Sequence, residues 1–291
     1  MKNNIYFIYL LLLAVLPVHS RNTSLFSVYE ITCEQQIEPS GIGSKSPRFG
    51  WKVACQQRGY RQSAYRILVA DTEDALTADK GTVWDSGTFL SSNSVLVPFQ
   101  GKELHSATRY YWKVKVWNEA GEESAWSRQG SFVTGMMKER DWGKAQWIAL
   151  EKDDSAKNLY PGIHAPLVRK MIGDRKVGGY KLPMFRKELP INKEVKEAIV
   201  NISGLGHFDF YINGEKVGNH FLDPGWTNYA KTALYQTFDV TALLKKRNVM
   251  GVMLGNGFYN VPRELYFKQL ISFGAPKEKL ALYLKYADGS Y

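Results

Sequence analysis

The chain has 291 residues, 44% hydrophobic and 23% charged, a balance that excludes intrinsic disorder and leaves room for two ordinary domains. Its 17 tyrosines, 14 phenylalanines and 8 tryptophans fall in short extended runs, which points to β structure. The formal charge of +10 is scattered among acids with no recognition-helix or RNA-binding signature, which speaks against nucleic acid; an acidic polysaccharide is the better polyanion, and solvated strand faces are the simpler explanation of the charge.

At the start, Lys2 precedes an apolar run over residues 5–16, and Val18-His19-Ser20 offers small residues at cleavage positions. This predicts a signal peptide over residues 1–20 and export to the periplasm or beyond. The run is too short to span a bilayer comfortably and no cysteine follows it to accept a lipid, so no membrane anchor is expected. The two cysteines, Cys33 and Cys55, are too few for a zinc site. In an oxidising compartment they allow a disulfide, and as small hydrophobes they equally suit buried positions on neighbouring strands.

Residues 48–53 and 63–70 read as strands, the second alternating Tyr65, Ile67 and Val69 against Arg66 and Leu68. Residues 71–81 form a polar connection with room for one helical turn, and their acids lack the D-x-D-x-D-G spacing of a calcium loop. Trp84-Asp85-Ser86-Gly87 and a strand near residues 95–98 follow. Over residues 109–118, Tyr110, Trp112, Val114 and Val116 share one face while Tyr111, Lys113, Lys115 and Trp117 share the other. A turn at Glu119-Ala120-Gly121-Glu122 and a strand over residues 130–134 close the set. About seven short strands at regular spacing predict an immunoglobulin-like or fibronectin type III-like sandwich over residues 27–135.

A polar bridge over residues 138–143 leads to Gln146-Trp147-Ile148-Ala149, and a second domain is placed over residues 141–291. Residues 153–180 are dense in Gly, Lys and Arg without a period, which predicts a long surface loop. β segments resume at residues 185–189, 198–203, 233–238, 249–254 and 280–287, with a helical turn over residues 239–244. Phe208, Phe210 and Ile212 share one side of an extended segment, and Asn213-Gly214 supplies the two positive φ angles of a type I′ hairpin. Asp223-Pro224-Gly225 predicts a turn in which Pro sets φ and Gly accepts a positive φ, carrying Trp226 and Tyr229 to a strand end. The sum is an all-β chain whose second domain is an antiparallel jelly roll. Five histidines (His19, His105, His164, His207, His220) show no metal-ligand spacing, no serine sits in a nucleophile elbow, and Gly255-Asn256-Gly257 lacks the context of a phosphate loop. No catalytic residue is assigned.

Several of these motifs recur together. Trp84-Asp85-Ser86-Gly87, Tyr111-Trp112-Lys113-Val114 with Trp117, the stretch over residues 142–148, Tyr211-Ile212-Asn213-Gly214, Leu222-Asp223-Pro224-Gly225-Trp226-Thr227-Asn228-Tyr229 and Leu254-Gly255-Asn256-Gly257-Phe258-Tyr259 resemble, in order and spacing, the N-terminal half of bacterial α-L-rhamnosidases of glycoside hydrolase family 78. The resemblance covers essentially everything after the leader. It implies an immunoglobulin-like domain, then a β-sandwich that helps recognise substrate, with hydrolysis by an inverting pair of carboxylates in a following (α/α)6 barrel. None of the 28 acids here matches that pair, and no run of long amphipathic helices is present.

The expectation is therefore the recognition region of a rhamnosidase acting on rhamnose-containing glycosides or pectic polysaccharide, with the catalytic domain missing from this chain. The alternative is a non-catalytic carbohydrate-binding or structural β-sandwich protein. Because family members are still inside the sandwich at Tyr291, a truncated jelly roll with an exposed edge and poor solubility is expected. By motif, the resemblance implies Asn213, Asp223, Trp226 and Asn256 as sugar-binding residues, the sugar packing its C–H face on a ring while amides and carboxylates meet its hydroxyls. In some relatives calcium assists, so calcium is the cofactor the resemblance allows. Each candidate also has a structural role open to it: turn residue at Asn213, cap at Asp223, core plug at Trp226 and bend at Asn256.

Overall fold

Period-two alternation of apolar side chains dictates which faces meet, and in the computed structural model, which describes residues 26–150, 181–261 and 272–291, it builds two sandwiches. The predicted leader and the predicted loop over residues 153–180 lie outside the described residues. In the first domain, β1 (Phe26–Cys33), β3 (Arg48–Cys55) and β7 (Val97–Pro98) form one sheet. Facing it is a sheet in the order β2 (Ser40–Ile42), β9 (Gly130–Thr134), β8 (Arg109–Asn118), β4 (Gln62–Ala70), β5 (Trp84–Asp85), with β6 (Phe89–Leu90) also on β4. The predicted inward face of β8 is buried against Phe49, Trp51 and Phe132. Phe49 sits amid rings, its centroid 4.4 Å from Trp112, 5.9 Å from Phe132, 6.2 Å from Trp84 and 6.5 Å from Phe99. The outer face is not all solvated: Leu68, Ala70 and Leu76 are buried together beneath α1 (Glu73–Thr77), whose first turn is capped by the Thr72 hydroxyl accepting the Ala75 N–H.

The cysteines correct one expectation. Both are free thiols. Cys33 pairs with Phe49 and Cys55 with Phe26, at opposite ends of the β1–β3 ladder. That separates them by roughly 20 Å at about 3.3 Å per residue, beyond the ~7 Å Cα separation a disulfide tolerates. The buried-hydrophobe reading holds for Cys33, whose thiol is pushed up to about 12, chiefly by burial.

The second domain contributes β10 (Ile148–Ala149), β11 (Met184–Pro190), β12 (Val195–Leu205), β13 (His207–Ile212), β14 (Glu215–Lys216), β15 (Gln236–Asp239), β16 (Arg247–Gly255) and β17 (Lys277–Tyr286). Its sheets run β10-β17-β12-β15 and β11-β16-β13-β14. Counted within the domain, first pairs with last and second with next-to-last, which is the double Greek key of a jelly roll. Among the described residues, β17 lies inside its sheet, between β10 and β12. Along one side β17 is partly open, because β10 pairs with it over two residues, Ile148 with Glu278 and Ala149 with Lys277, while β12 pairs along its length.

Phe208, Phe210 and Ile212 face inward as predicted, against Val200, Ile202, Val252 and Leu254. The hairpin has φ of 54° at Asn213 and 86° at Gly214, as a type I′ turn requires. A Cβ on Gly214 meets nothing within 4 Å, so backbone strain alone opposes a side chain there. Gly214→Ala is expected to cost about 1 to 2 kcal/mol, read as a lower urea midpoint with an unchanged slope.

The domains are joined by named contacts. Arg109 of β8 lies 3.3 Å from Glu197 Oε1, pairs with Asp239 Oδ2 and donates to Ser131 Oγ. The Tyr235 hydroxyl accepts the Met136 N–H at 2.8 Å, Tyr283 donates to the Asp141 carbonyl, and Ala107, Val133, Ile199 and Tyr283 pack together. Among the described residues no helix is long and apolar enough to cross a membrane.

Candidate functional site

One rim of the jelly roll forms where β13 begins and β16 ends, with His207 opposite Gly255. The Phe208 N–H donates to the Asp223 carbonyl at 2.8 Å, which pins the following loop to the sheet. Beyond β16 the chain turns through Asn256 and Gly257. Gly257 has φ of 50°, and a Cβ there would stand 2.9 Å from His207 Cδ2, so only glycine fits. This turn presents Phe258, whose ring stacks on Trp226 at 4.8 Å and 16° and meets His207 edge-on at 6.3 Å. Trp226 remains 54% exposed, and Phe221 and Leu222 are also exposed beside it in sequence.

Asp223 is mostly buried and held on both oxygens: Gln236 Nε2 donates to Oδ1 at 3.1 Å, and His220 Nδ1 lies 3.2 Å from Oδ2. The turn differs from the predicted one. The Asp223–Pro224 peptide is cis, and the positive φ falls on Leu222, at 60°, and not on Gly225.

Three of the four predicted residues, Asp223, Trp226 and Asn256, belong to this rim. Trp226 is not the core plug that its size allows. Asn256 serves the bend, its carbonyl accepting the Asn260 N–H at 3.2 Å. Asn213 is at the other end of β13, roughly 20 Å away at about 3.3 Å per residue. Its amide is spent on the fold, donating to the Leu243 carbonyl and Asn248 Oδ1 while accepting the Val249 N–H. Assigning Asn213 to a sugar site is therefore corrected, because the turn that selects the residue also consumes its hydrogen bonds. Phe258, His207, His220 and Gln236 were not anticipated. Phe258 stood in a quoted motif, but its stacking on Trp226 joins segments far apart in sequence.

The rim does not fit calcium, which takes about six to eight oxygen ligands. Asp223 already has partners on both oxygens, and among the described residues no three acidic, histidine or cysteine side chains converge.

A second concavity, of about 410 Å³, lies at the domain junction between the α1 segment and β12, β15 and β17. Glu73 and Asp74 face it from the first domain, Glu197 and Asp239 from the second. Burial pushes the Glu197 carboxyl up, and Arg109 opposes that shift. Both second-domain acids are held by Arg109, so no opposed pair of free carboxylates stands across the furrow to act as acid and base. It is a clamp between domains.

Comparison with known proteins agrees with this architecture. Residues 28–138 match the Rha78A-like N-terminal immunoglobulin domain, and residues 193–291 match the alpha-L-rhamnosidase N-terminal domain. An alpha-L-rhamnosidase of Formosa agariphila is 39% identical over 268 residues, covering 90% of this chain and 28% of that protein. Another, from Alteromonas sp. strain LOR, is 32% identical over 77% of this chain and 23% of its own length. Among solved structures, the alpha-L-rhamnosidase of Dictyoglumus thermophilum superposes with a TM-score of 0.75 at 36% identity, and that of Aspergillus terreus with 0.71 at 25%. Each alignment covers 91% of this chain and 28% of the solved chain. The chain thus spans about a quarter of the length of the relatives it matches.

Proposed function

Because the chain belongs to the α-L-rhamnosidase family, through the two N-terminal domains of that family, we propose that it is the exported, substrate-recognising region of an enzyme that removes terminal α-L-rhamnose from glycosides or pectic polysaccharide. In this reading the inverting acid and base belong to a helical domain beyond these two sandwiches, and the rim around Trp226 holds the sugar. The observation that carries the reading is the exposed Trp226 ring, braced from behind by Phe258 and flanked by the tethered Asp223. A braced ring loses little entropy when a sugar's C–H face settles on it, and the lone pairs that Asp223 keeps beyond its Gln236 and His220 partners are those left to accept from hydroxyl groups. The leader-like residues 1–20 support export.

One ring and a few hydrogen bonds support a Kd for L-rhamnose on the order of millimolar. Calorimetric titration in the presence of EDTA is expected to give a saturable heat, weakened at least about tenfold in Trp226→Ala. A rhamnose-containing pectic oligosaccharide in the same cell distinguishes the polymer from the free sugar. Absence of heat from the wild-type protein with either ligand removes the recognition role.

A further inference from the structure

Along β17 every second side chain turns between the sheets. Leu284, Leu282 and Leu280 pack into the jelly-roll core, opposite Ala198, Val200 and Ile202 of β12. Glu278 is the next member of that inward row, and the register sets it opposite Gly204. A Cβ on Gly204 would stand 2.8 Å from Phe208 Cδ1 and 3.4 Å from Leu254 Cδ1. Paired residues share a side of the sheet, so Glu278 faces Phe208 and Leu254 across the room that glycine leaves. It is 5% exposed, and among the described residues its Oε2 has no hydrogen-bond partner. A carboxylate in that position is the least tolerated kind of buried group.

We propose that Glu278 is a proton-operated latch on the rim-bearing end of the jelly roll: protonated, it lies between the sheets and lets them close; ionised, it turns out to water past the short strand β10, and that end loosens. The exit is provided by β10 itself, which covers β17 over two residues and leaves Ile148, the partner of Glu278, exposed. The rim hangs on the side chains that Glu278 faces. Phe208 donates its N–H to the Asp223 carbonyl, and Leu254 leads through Gly255 and Asn256 to Phe258 beneath Trp226.

Among the described residues, no surrounding group holds the carboxyl ionised. On β12 it pairs with Gly204, flanked by Ser203 and Leu205; Phe208 of β13 and Leu254 of β16 lie over Gly204; on β10 it pairs with Ile148. His207 and Asp209, the titratable residues beside Phe208, alternate to the outer face of their sheet, and Lys277 and Lys279 alternate to the other face of β17. Burial pushes the carboxyl up to about 7. An acid raised in the folded state binds more protons there than in the unfolded chain. Its contribution is therefore fully present below about pH 4, is lost as pH rises to about 7, and is level above that.

Hydrogen exchange of the 291-residue protein between about pH 5 and pH 8, corrected for intrinsic rates, tests this without any sugar. Protection of the Phe208 and Leu254 amides, which donate to the Asp223 and Pro183 carbonyls, is expected to fall on the order of 100-fold, while Val114 and Val116 of the first domain keep theirs. Glu278→Gln is expected to hold both rim amides protected throughout. Constant protection at Phe208 and Leu254 in the wild type overturns the latch, and so does an equal fall in Glu278→Gln. Should that variant not fold, the wild-type series decides alone, since a fall that is complete by about pH 7 and confined to the second domain is required.

Discussion

Phe49→Ala is expected to lower the stability of the first domain by about 4 kcal/mol. The ring is wholly buried and touches Trp84, Phe99, Trp112 and Phe132, which come from four other segments of the domain. Removing it loses the transfer free energy of an aromatic side chain and leaves a cavity walled by rings that are themselves packed and cannot all move inward. Aromatic pairs of this geometry add about 0.5 to 1.5 kcal/mol each beyond their buried area. Against a typical domain stability of about 5 to 15 kcal/mol, the loss removes much of the margin. Urea unfolding followed by near-ultraviolet circular dichroism is the measurement, with Phe49→Leu expected to cost about half as much because it refills part of the cavity. A loss under about 1 kcal/mol for Phe49→Ala is incompatible with this packing.

Arg109→Met is expected to uncouple the two domains at a cost of about 2 to 3 kcal/mol near pH 7. The Arg109 side chain is 21% exposed and its guanidinium sits between Glu197, whose side chain is 15% exposed, and Asp239, 37% exposed. Without it the Glu197 and Asp239 carboxylates, neighbours on the second domain, repel each other at a half-buried junction, with Lys285 opposing that repulsion only in part. The remaining exposure puts the expected cost below the value for a fully buried pair. Burial already raises Glu197, so acid relieves the variant first: as pH falls, Glu197 takes a proton and the loss shrinks. Differential scanning calorimetry is expected to show one transition in the wild type dividing into two in Arg109→Met. Adding Glu197→Leu is expected to restore much of the loss, because it removes the stranded charge. A single unshifted transition in Arg109→Met means that Tyr235, Tyr283 and their neighbours hold the junction by themselves.

Much of the architecture was legible because strands announce themselves locally. Tyr110, Trp112, Val114 and Val116 alternate and are buried; Phe208, Phe210 and Ile212 do the same across a turn whose Asn213-Gly214 pair allows one geometry. The same locality misled where a residue's partner is distant. Leu68 alternates with inward residues and is nevertheless buried, because α1 folds back over the outer face. Cys33 and Cys55 look like a possible bridge until the antiparallel register sets them at opposite ends of one ladder.

The candidate rim divides in the same way. Trp226 and Asp223 were marked by their turn, whereas Phe258, His220 and Gln236 join them only through contacts between loops. Glu278 reads as one more charge in a Lys-Glu-Lys run, yet its place in the row of Leu280, Leu282 and Leu284 sends it between the sheets. By itself, then, the order of residues determined an all-β chain, the two sandwiches and the hairpin, since a two-residue period and the φ demands of turn residues act over a few bonds. Which strands become neighbours, which acid Arg109 meets and which carboxyl is left without water were decided by the tertiary structure, because strand register brings together atoms that no local preference relates.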